Sequence, residues 1–359
     1  MKRLMSGNEA MAEGAIQAGC TFYAGYPITP QNEIPAYMSV RMPEIGREFI
    51  QAESELAAIN MVYGAAAAGA RAMTSSSSPG FSLKQEGISY IAGAELPAVL
   101  INVMRGGPGL GNIAPAQSDY FQAVKGGGHG DYHCIVLAPS VAQEAYETMG
   151  LAFDLADIYR NPVIVLADGM LGQVMEPVQL KSQIPNPKSK VNKPWTLTGC
   201  AGREPNIVKS FFLKEGELEK ANIILQKKYR LIQQKEQRWE GSFLDDAKII
   251  LVAYGTMARI AKAALHSLRA DGKKVGLIRP ITLWPFPQKV FAHTASAKKK
   301  FLAIEMSYGQ MVEDVRLAVN GKSVVEFLGR SGGGIPTEKD IINKIKKLCW
   351  RKYFLGKDH

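Results

Sequence analysis

The first 180 residues alternate between short apolar runs and helical patterns, and this alternation limits the fold more than any other feature of the sequence. The apolar runs cover residues 21–26, 48–51, 70–75, 97–104, 134–138 and 163–167. Helical patterns between them include residues 8–18, 55–68 and 141–159, and Ser140 is a plausible N-cap for the last of these. Because polar and apolar residues scarcely alternate within the runs, we predict an α/β fold with a mainly parallel sheet covered by helices on both faces.

The second half of the sequence divides into a linker region and a smaller α/β unit. Residues 182–195, SQIPNPKSKVNKPW, are rich in Pro, Lys and Ser, as is typical of a linker. A long helix follows, with apolar residues three and four positions apart at Leu218, Ala221, Leu225, Tyr229 and Ile232. Its apolar face fits either core packing or a partner helix. Four more strand-like runs begin near residue 247. We therefore predict three parts, residues 1–180, 181–243 and 244–359.

The net charge of +10 at neutral pH is unevenly distributed along the chain. The first 180 residues contain 9 Lys/Arg and 17 Asp/Glu, whereas the remainder contains 34 and 16. The basic part holds no RNP, helix-turn-helix or zinc-finger pattern. We therefore predict a solvated basic face or a surface for an acidic protein partner, and no binding of nucleic acid.

Cysteine spacing and hydropathy limit which cofactors the chain can hold and in which compartment it is expected. Cys20, Cys134, Cys200 and Cys349 form no C-x-x-C pair. We therefore predict buried thiols in a reducing compartment, and no structural zinc site or iron–sulfur cluster held by this chain alone. The longest weakly polar run, residues 56–70, is shorter than the roughly 18 apolar residues that span a bilayer. With no signal peptide visible, we expect a cytoplasmic protein that does not contact a membrane.

Chemically useful residues follow the predicted strands of the first part. The carboxyl ends of the strands lead into Thr29 between two prolines, Glu53 and Glu55, the run TSSSSPG at 74–80, Arg105 before GGPGLGN, and Asp168. Open α/β sheets bind their ligands at this edge, so we predict a site here. Each feature alone also fits an ordinary role, such as a carboxylate at a helix start, a serine cap or a glycine turn.

Standard nucleotide, protease and hydrolase motifs are missing from the sequence. The segment GGPGLGN does not match G-x-G-x-x-G, and GKS at 321–323 lacks the first glycine of a P-loop. There is no H-E-x-x-H and no G-x-S-x-G. His129 and His133 lie four residues apart in a Gly-rich segment and are weak metal candidates. We predict no metal site on this chain.

Several long motifs resemble the α-subunits of 2-oxoacid:ferredoxin oxidoreductases. They are GYPITP, QAESELAAINMVYGAAAAGARAMTSSSSPG, NVMRGGPGLG, QSDYFQAVKGGGHGDY, NPVIVLADG and RSGGGIPTEKDI, which together cover nearly the whole chain. The resemblance implies a pyrimidine-type thiamine diphosphate-binding domain followed by a transketolase C-terminal-like domain. It also implies oxidative decarboxylation of a 2-oxoacid with coenzyme A to an acyl-CoA, CO2 and reduced ferredoxin, with thiamine diphosphate carrying the hard step.

The same resemblance assigns roles to individual residues. Glu55 matches the catalytic carboxylate that hydrogen-bonds N1′ of the pyrimidine ring, and the apolar residues after it supply a desolvated wall. Glu53 is left as a helix-start residue. Thr29 and Arg105 match the residues that bind the substrate, where a guanidinium fork suits a carboxylate. The remaining predicted cofactor contacts are Pro27, Ile28, Ser77 and Ser78.

One expected motif is missing and implies partner subunits. Thiamine enzymes usually anchor Mg2+ and diphosphate through G-D-G and a later Asn, whereas the nearest match here is ADG at 167–169 with Asn192 in the linker. We therefore expect this chain to hold only the pyrimidine half of the cofactor. By resemblance, a β-subunit carries the diphosphate and Mg2+, and the β-subunit and small ferredoxin-like subunits carry the iron–sulfur clusters. The chain alone is expected to be inactive.

The segment YPITPQNEIP looks closest to the branched-chain type, which acts on 3-methyl-2-oxobutanoate. The near neighbour is the 2-oxoglutarate type, whose substrate needs a second cation for its distal carboxylate. Arg41 and Arg47 are candidates for that cation. A distant alternative is a non-catalytic scaffold that keeps the fold; it would be favoured by loss of Thr29, Glu55 or Arg105, and all three are present.

Overall fold

The computed structural model describes residues 2–181 and 192–354, so most of the predicted linker, residues 182–191, lies outside the described residues. The strands are β1 (Lys2–Ser6), β2 (Phe22–Gly25), β3 (Glu48–Gln51), β4 (Ala72–Ser76), β5 (Ala98–Met104), β6 (Ile135–Leu137), β7 (Pro162–Asp168), β8 (Met175–Gln179), β9 (Trp239–Ser242), β10 (Ile249–Val252), β11 (Val275–Pro280), β12 (Thr282–Trp284), β13 (Lys300–Glu305) and β14 (Val324–Gly329). The helices are α1 (Gly7–Gln17), α2 (Glu33–Glu44), α3 (Glu55–Ala67), α4 (Ser78–Leu83), α5 (Gln85–Gly93), α6 (Tyr120–Val124), α7 (Ala142–Tyr159), α8 (Gly169–Gln173), α9 (Glu217–Lys235), α10 (Gly255–Ala270), α11 (Gln288–Thr294), α12 (Met311–Val319) and α13 (Glu338–Phe354).

The first sheet has seven strands in the order β12-β6-β7-β5-β4-β2-β3. Its strands pair in parallel except β12, which runs antiparallel to β6. Strands β4, β5 and β7 are buried along their whole length, because helices cover both faces. The predicted α/β architecture with a mainly parallel sheet is confirmed.

Close helix contacts fix how the layers pack. At Gly14 of α1, a Cβ atom would lie 2.3 Å from the carbonyl oxygen of Tyr146 in α7, so only glycine allows this approach. At Gly87 of α5, a Cβ would lie 2.6 Å from the side chain of Ile59 in α3. Helix α5 is therefore held tightly against α3, which matters for the site described below.

A second sheet has five strands in the order β14-β13-β10-β11-β9. Strands β14, β13, β10 and β11 pair in parallel, and β9 pairs antiparallel with β11. One continuous apolar core extends from the first sheet to Phe291 and Phe301 in the second part. The other face of the second sheet packs against α10 and α13 through residues such as Leu265 and Ile345. A separate two-stranded sheet joins β1 to β8.

Some local expectations are corrected by the structure. Ser140 is not the N-cap of α7; Val141 occupies that position, and the Ser140 hydroxyl donates to Glu144 Oε2 at 2.9 Å. The predicted long helix is α9, in which Leu225, Tyr229 and Ile232 are buried, whereas Leu218 is exposed. Its apolar face therefore packs largely into the core.

Among residues 2–181 and 192–354, every helix is too short or too polar to cross a bilayer.

Candidate active site

Thr29 and Arg105 meet where β2 and β5 end. The Arg105 guanidinium donates from Nη1 to the Thr29 carbonyl oxygen at 3.0 Å and from Nη2 to the Leu110 carbonyl oxygen at 3.0 Å. Arg105 is only 7% exposed, whereas the Leu110 side chain on the glycine-rich loop is 78% exposed. The predicted meeting of these two residues at one sheet edge is present in the structure.

The backbone of Arg105 is fixed by a buried polar chain. Its amide N–H donates to Ser78 Oγ at 2.9 Å, and the Ser78 hydroxyl donates to Asp119 Oδ2 at 2.6 Å. The side-chain amide of Asn102 donates to the same Asp119 oxygen at 2.9 Å. Burial raises the pKa of Asp119, and the two hydrogen bonds from Ser78 and Asn102 act in the opposite direction. The Ser78 hydroxyl therefore holds the arginine in place.

The loop that carries Thr29 stands on a buried hydrogen-bond network. Ser75 donates to Gln31 Oε1 at 2.6 Å and lies 2.7 Å from the Tyr23 hydroxyl. Thr29 Oγ1 accepts from Asn32 Nδ2 at 3.2 Å. The Thr29 side chain is half-buried, as is Ile28, while Pro27 is exposed. All three residues thus remain at least partly accessible at this edge.

Glu55 is the first residue of α3 and is 6% exposed. Ser54 caps the helix by accepting a hydrogen bond from the Ala57 amide at 3.1 Å. Glu53 precedes this cap and is exposed, so it lies outside the helix rather than at its start. A Cβ atom on Gly80 would lie 2.3 Å from both Glu55 Oε1 and Ser76 Oγ. The carboxylate and the serine hydroxyl therefore converge over Gly80.

Three buried polar atoms of this region have no hydrogen-bond partner within the described part of the chain: Ser76 Oγ, Ser77 Oγ and Arg105 Nε. Leaving such groups unsatisfied costs about 1–3 kcal/mol each, and native proteins contain few of them. Their grouping beside Glu55 and Thr29 indicates a place where a polar ligand completes the hydrogen bonding.

Lys84 lies beneath Glu55 and is a residue that the sequence did not single out. Its side chain is fully buried, and Nζ donates to Thr74 Oγ1 at 3.1 Å and to the Glu55 carbonyl oxygen at 3.3 Å. Burial lowers the pKa of Lys84 to about 7, and the charge of Glu55 acts in the opposite direction. A lysine amino group that is shielded from solvent thus borders the candidate site.

Asp168 belongs to the packing between the two sheets and not to the ligand site. Its two carboxylate oxygens accept from the Thr256 hydroxyl at 2.7 Å and from the Thr256 amide at 3.0 Å. The amide of Leu171 adds a third bond at 2.9 Å. Burial raises the pKa of Asp168.

The other candidate cations and metal ligands also lie elsewhere. Arg47 donates to the carbonyl oxygens of Ile16 and Cys20, and Arg41 pairs with Glu44. His133 stacks on Trp284, with ring centroids 4.5 Å apart. Among the residues that the structure describes, no three His, Cys, Asp or Glu side chains are grouped as metal ligands would be.

The chain matches two protein families, one in its first part and one in its second part. Residues 13–219 match the family described as pyruvate flavodoxin/ferredoxin oxidoreductase, thiamine diphosphate-binding. Residues 247–341 match the pyruvate:ferredoxin oxidoreductase core domain II.

Curated relatives of two kinds match almost the full length. The chain is 52% identical to the ketoisovalerate oxidoreductase subunit VorB of Methanothermobacter marburgensis, over 97% of this chain and 98% of that protein. It is 35% identical to the 2-oxoglutarate synthase subunit KorA of the same organism, over 95% of this chain and 97% of that protein.

Solved structures share the fold. The 2-oxoglutarate:ferredoxin oxidoreductase from Magnetococcus marinus, with 2-oxoglutarate, coenzyme A and succinyl-CoA bound, matches with a TM-score of 0.85 at 28% identity. The match covers 96% of this chain and 65% of that chain, so this chain spans about two thirds of that structure's length. A split-gene transketolase matches with a TM-score of 0.57 at 13% identity over 96% of this chain and 97% of that one, which shows a common fold alone.

Proposed function

The chain belongs to the 2-oxoacid:ferredoxin oxidoreductase family, and we propose that it is the subunit that builds the pyrimidine side of the active site in an enzyme for a branched-chain 2-oxoacid. The reaction is oxidative decarboxylation of 3-methyl-2-oxobutanoate with coenzyme A, which gives an acyl-CoA, CO2 and reduced ferredoxin. The observation that carries the assignment of the site is the convergence of Thr29, Arg105 and Glu55 at one sheet edge with two serine hydroxyls that have no partner in the described part of the chain.

The choice of substrate is supported by the relatives and by the kinds of side chain found near Arg105. Identity is 52% to a ketoisovalerate oxidoreductase subunit and 35% to a 2-oxoglutarate synthase subunit. A 2-oxoglutarate enzyme needs a second cation, but Arg41 and Arg47 are bonded away from this edge. The loop over Arg105 instead presents apolar side chains, Leu110 and Ile113, which are 78% and 65% exposed. An apolar wall suits a branched side chain.

The residues present fit the pyrimidine half of thiamine diphosphate. The Ser76 and Ser77 hydroxyls are buried without partners in the described chain, and the Glu55 carboxylate lies beside them. Glu55 would hold ring N1′ through a hydrogen bond, while Pro27 and Ile28 would line the ring. When bound, the cofactor supplies the nucleophilic carbon and the electron sink for decarboxylation.

The chain's own residues would perform three tasks. Glu55, which is 6% exposed, holds and returns a proton at its carboxylate as a general acid and base. Arg105 binds the carboxylate of the oxoacid with its guanidinium, which is already oriented by Thr29 and Leu110. Thr29 offers its hydroxyl to the substrate. Orientation before binding lowers the entropy cost of reaching the reactive geometry.

The relatives are named as subunits, so the chain works as one subunit of a larger enzyme. We propose a β-subunit that carries the diphosphate and Mg2+, and small ferredoxin-like subunits that, with the β-subunit, carry the iron–sulfur clusters. In support, Asp168 of the ADG segment, the nearest match to the Mg2+-anchoring motif, accepts a hydrogen bond from Thr256 instead of facing a ligand site. A cytoplasmic location is part of the proposal and is supported by free thiols. Cys20 and Cys134 are buried, as the sequence predicts, whereas the prediction is wrong for Cys200, which is exposed.

The test is reconstitution with the proposed β-subunit and ferredoxin-like subunits, followed by assay with a panel of 2-oxoacids. We expect coenzyme A-dependent reduction of ferredoxin, with kcat/KM for 3-methyl-2-oxobutanoate at least about tenfold above that for 2-oxoglutarate. Equal or higher values with 2-oxoglutarate would move the assignment to that substrate.

Glu55→Gln should lower turnover roughly a hundredfold or more, because an amide cannot give up and take back a proton as a carboxyl group does. The complex should still assemble. Glu53→Gln is the matched control, since Glu53 is exposed and lies two residues away, and it should keep normal turnover. Wild-type turnover in Glu55→Gln would exclude Glu55 as the catalytic carboxylate.

A further inference from the structure

Lys84 is an unusual residue to find in the interior of this protein. Its side chain has no exposed surface, and it lies between β4 and the start of α3. An ammonium group has three donors, whereas the recorded acceptors are two neutral oxygens, Thr74 Oγ1 and the Glu55 carbonyl. Burying a charge under these conditions is costly, and an apolar side chain such as Met would fill the same space without that cost.

The ammonium is directed at the residue that the proposed function makes catalytic. Helix α5 begins at Gln85 and packs against α3 at Gly87 and Ile59, so the residue before α5, Lys84, lies close to the start of α3. The charge of Glu55 raises the pKa of Lys84 against the lowering effect of burial. The two groups therefore interact electrostatically as well as through the Glu55 carbonyl.

We infer that Lys84 is a positioning residue for Glu55: it holds the first residue of α3 by its carbonyl oxygen and supplies a positive charge that favours the ionised carboxylate. The inference rests on the proposed role of Glu55. When Glu55 gives up its proton to a bound ligand, the carboxylate that remains is stabilised by the neighbouring ammonium. The proton returns to the same carboxylate oxygen, so Lys84 itself neither gains nor loses a proton in the step.

Other ionisable groups on the elements packed around Lys84 have their own partners. Glu86, on the outer face of α5, accepts a hydrogen bond from Tyr90. Asp119 is bonded to Ser78 and Asn102. Tyr23, behind β4, is bonded to Ser75, and burial raises its pKa. Glu55 is thus the group on which the charge of Lys84 acts.

Two variants separate the charge from the hydrogen bonds. Lys84→Met removes both at similar volume, and Lys84→Gln keeps donors for Thr74 and Glu55 but removes the charge. The control is Lys228→Met. Lys228, in α9, is a half-buried lysine bonded to Glu95 and to the Arg160 carbonyl, and its pKa is also lowered by burial. All are made in the assembled enzyme with thiamine diphosphate bound.

The first readout is the pH dependence of two quantities, kcat and the exchange of the cofactor C2 proton with D2O followed by NMR without substrate. In Lys84→Met and Lys84→Gln the ionised carboxylate loses the neighbouring charge, so kcat and the exchange rate should both fall, and their dependence on pH should differ from that of the wild type. Exchange at neutral pH should fall about tenfold. Lys228→Met should leave both profiles in place.

The second readout is the melting temperature of the complex against pH, which does not depend on activity. Lys84 has a folded-state pKa of about 7 and an ordinary value of 10.5. Between these values the unfolded chain binds a proton that the folded chain has lost, so wild-type stability rises with pH. Relative to Lys84→Met, the wild-type melting temperature should therefore climb by a few degrees from pH 7 to pH 9.

The outcomes separate this inference from the proposed function. If the wild-type complex oxidises 2-oxoacids and Glu55→Gln is inactive, but both Lys84 variants keep the wild-type profiles, the inference is overturned and the function stands. If Lys84→Gln alone keeps the wild-type profile, the charge has no role, and the part of the inference that assigns Lys84 an electrostatic effect on Glu55 is overturned. If the wild-type complex oxidises no 2-oxoacid, the proposed function fails first.

Discussion

At the scale of single residues, Arg105 shows how a substrate-binding group is prepared before substrate arrives. Two of its nitrogens are tied to the carbonyl oxygens of Thr29 and Leu110, and its amide is tied to Ser78. Its Nε has no partner in the described chain. The plane of the guanidinium is therefore set by protein contacts, and three of its five N–H donors, including the one on Nε, are left over for a ligand.

Replacing Arg105 by Lys should separate charge from shape. The ammonium keeps the charge but cannot make both carbonyl contacts, so the substrate carboxylate loses its oriented fork. We expect KM for 3-methyl-2-oxobutanoate to rise at least about tenfold, with a smaller change in kcat. Steady-state kinetics of the assembled enzyme measure both.

The matched control is Arg269→Lys, because Arg269 forms a surface pair with Asp246 in the second part of the chain. It should leave KM unchanged. An unchanged KM in Arg105→Lys as well would remove Arg105 from the substrate site.

The sequence predicted part of this residue-level arrangement for a physical reason. Thr29 and Arg105 each follow a strand of a parallel sheet, and the carboxyl ends of such strands share one edge, so their contact could be expected. Lys84 could not be found in this way. In FSLKQEG it resembles any lysine at a helix boundary, and only the packing of α5 on α3 brings it under Glu55.

At the scale of elements, the crossing of α4 over the start of α3 controls the Glu55 carboxylate. Gly80 lies in α4, and the space that a Cβ would occupy is bordered by Glu55 Oε1 and Ser76 Oγ at 2.3 Å. Glycine at this position therefore lets two functional groups approach the helix backbone.

Gly80→Ala should lower turnover by roughly 10- to 100-fold, because the added methyl group displaces the carboxylate and a misplacement of about 1 Å can cost that much. Helix propensity favours alanine, so loss of helix α4 would not explain the effect. Kinetics and circular dichroism of the assembled enzyme measure the two quantities.

Gly150→Ala in α7 is the control, since a Cβ there meets no atom within 4 Å. It should leave turnover unchanged and raise the free energy of unfolding by about 0.5–1 kcal/mol. Equal turnover in the two variants would show that Gly80 does not position Glu55.

Strand prediction succeeded for the strands that pair in parallel and failed for short strands that pair antiparallel. The runs that became β3, β5 and β7 were located to within one or two residues. Strands β5 and β7 are central and apolar on both faces, whereas β3 is a partly exposed edge strand. Strands β8, β9 and β12 were not predicted. Two of them are mostly exposed and all three have three to five residues, so pairing with distant partners forms them rather than local composition.

At the scale of the whole molecule, the two sheets are joined by buried polar contacts as well as by apolar packing. Asp168 at the end of β7 is bonded to Thr256 at the start of α10. Gln117 exchanges hydrogen bonds with the backbone of Met306 and donates to the carbonyl oxygen of Tyr254. These contacts fix the second sheet against the edge that carries the site.

Thr256→Val should lower the free energy of unfolding by about 2–3 kcal/mol at neutral pH, because it removes a hydrogen bond to a buried carboxylate. Burial raises the pKa of Asp168, and the bonds from Thr256 oppose that rise. The lost bond stabilises the ionised form, so the difference from wild type should shrink as pH falls through the pKa of Asp168. Urea unfolding at several pH values measures it.

Thr294→Val is the control for this contact. Thr294 is also buried, but its hydroxyl donates to the Val290 carbonyl within the same helix, α11. Thr294→Val should lower the free energy of unfolding by about 1 kcal/mol or less, and this decrease should not vary with pH. A pH-independent loss in both variants would contradict the role of Asp168 as a charged link between the sheets.

The division into residues 1–180, 181–243 and 244–359 remains a proposal. Strand β9 lies in the middle segment and pairs with β11 of the second sheet, whereas β12 lies in the last segment and pairs with β6 of the first. The linker composition could be recognised in the sequence. These two exchanged strands could not, because they are short and their partners are far away along the chain.

The exchanged strands bear on how such a chain can be inherited and engineered. If the gene were split after residue 243, one product would carry β9 without β11 and the other β12 without β6. Each would expose an unpaired sheet edge, which invites aggregation. Recombination that moves either half alone into another gene is therefore disfavoured, and we expect the two halves to be transmitted together as a single cassette.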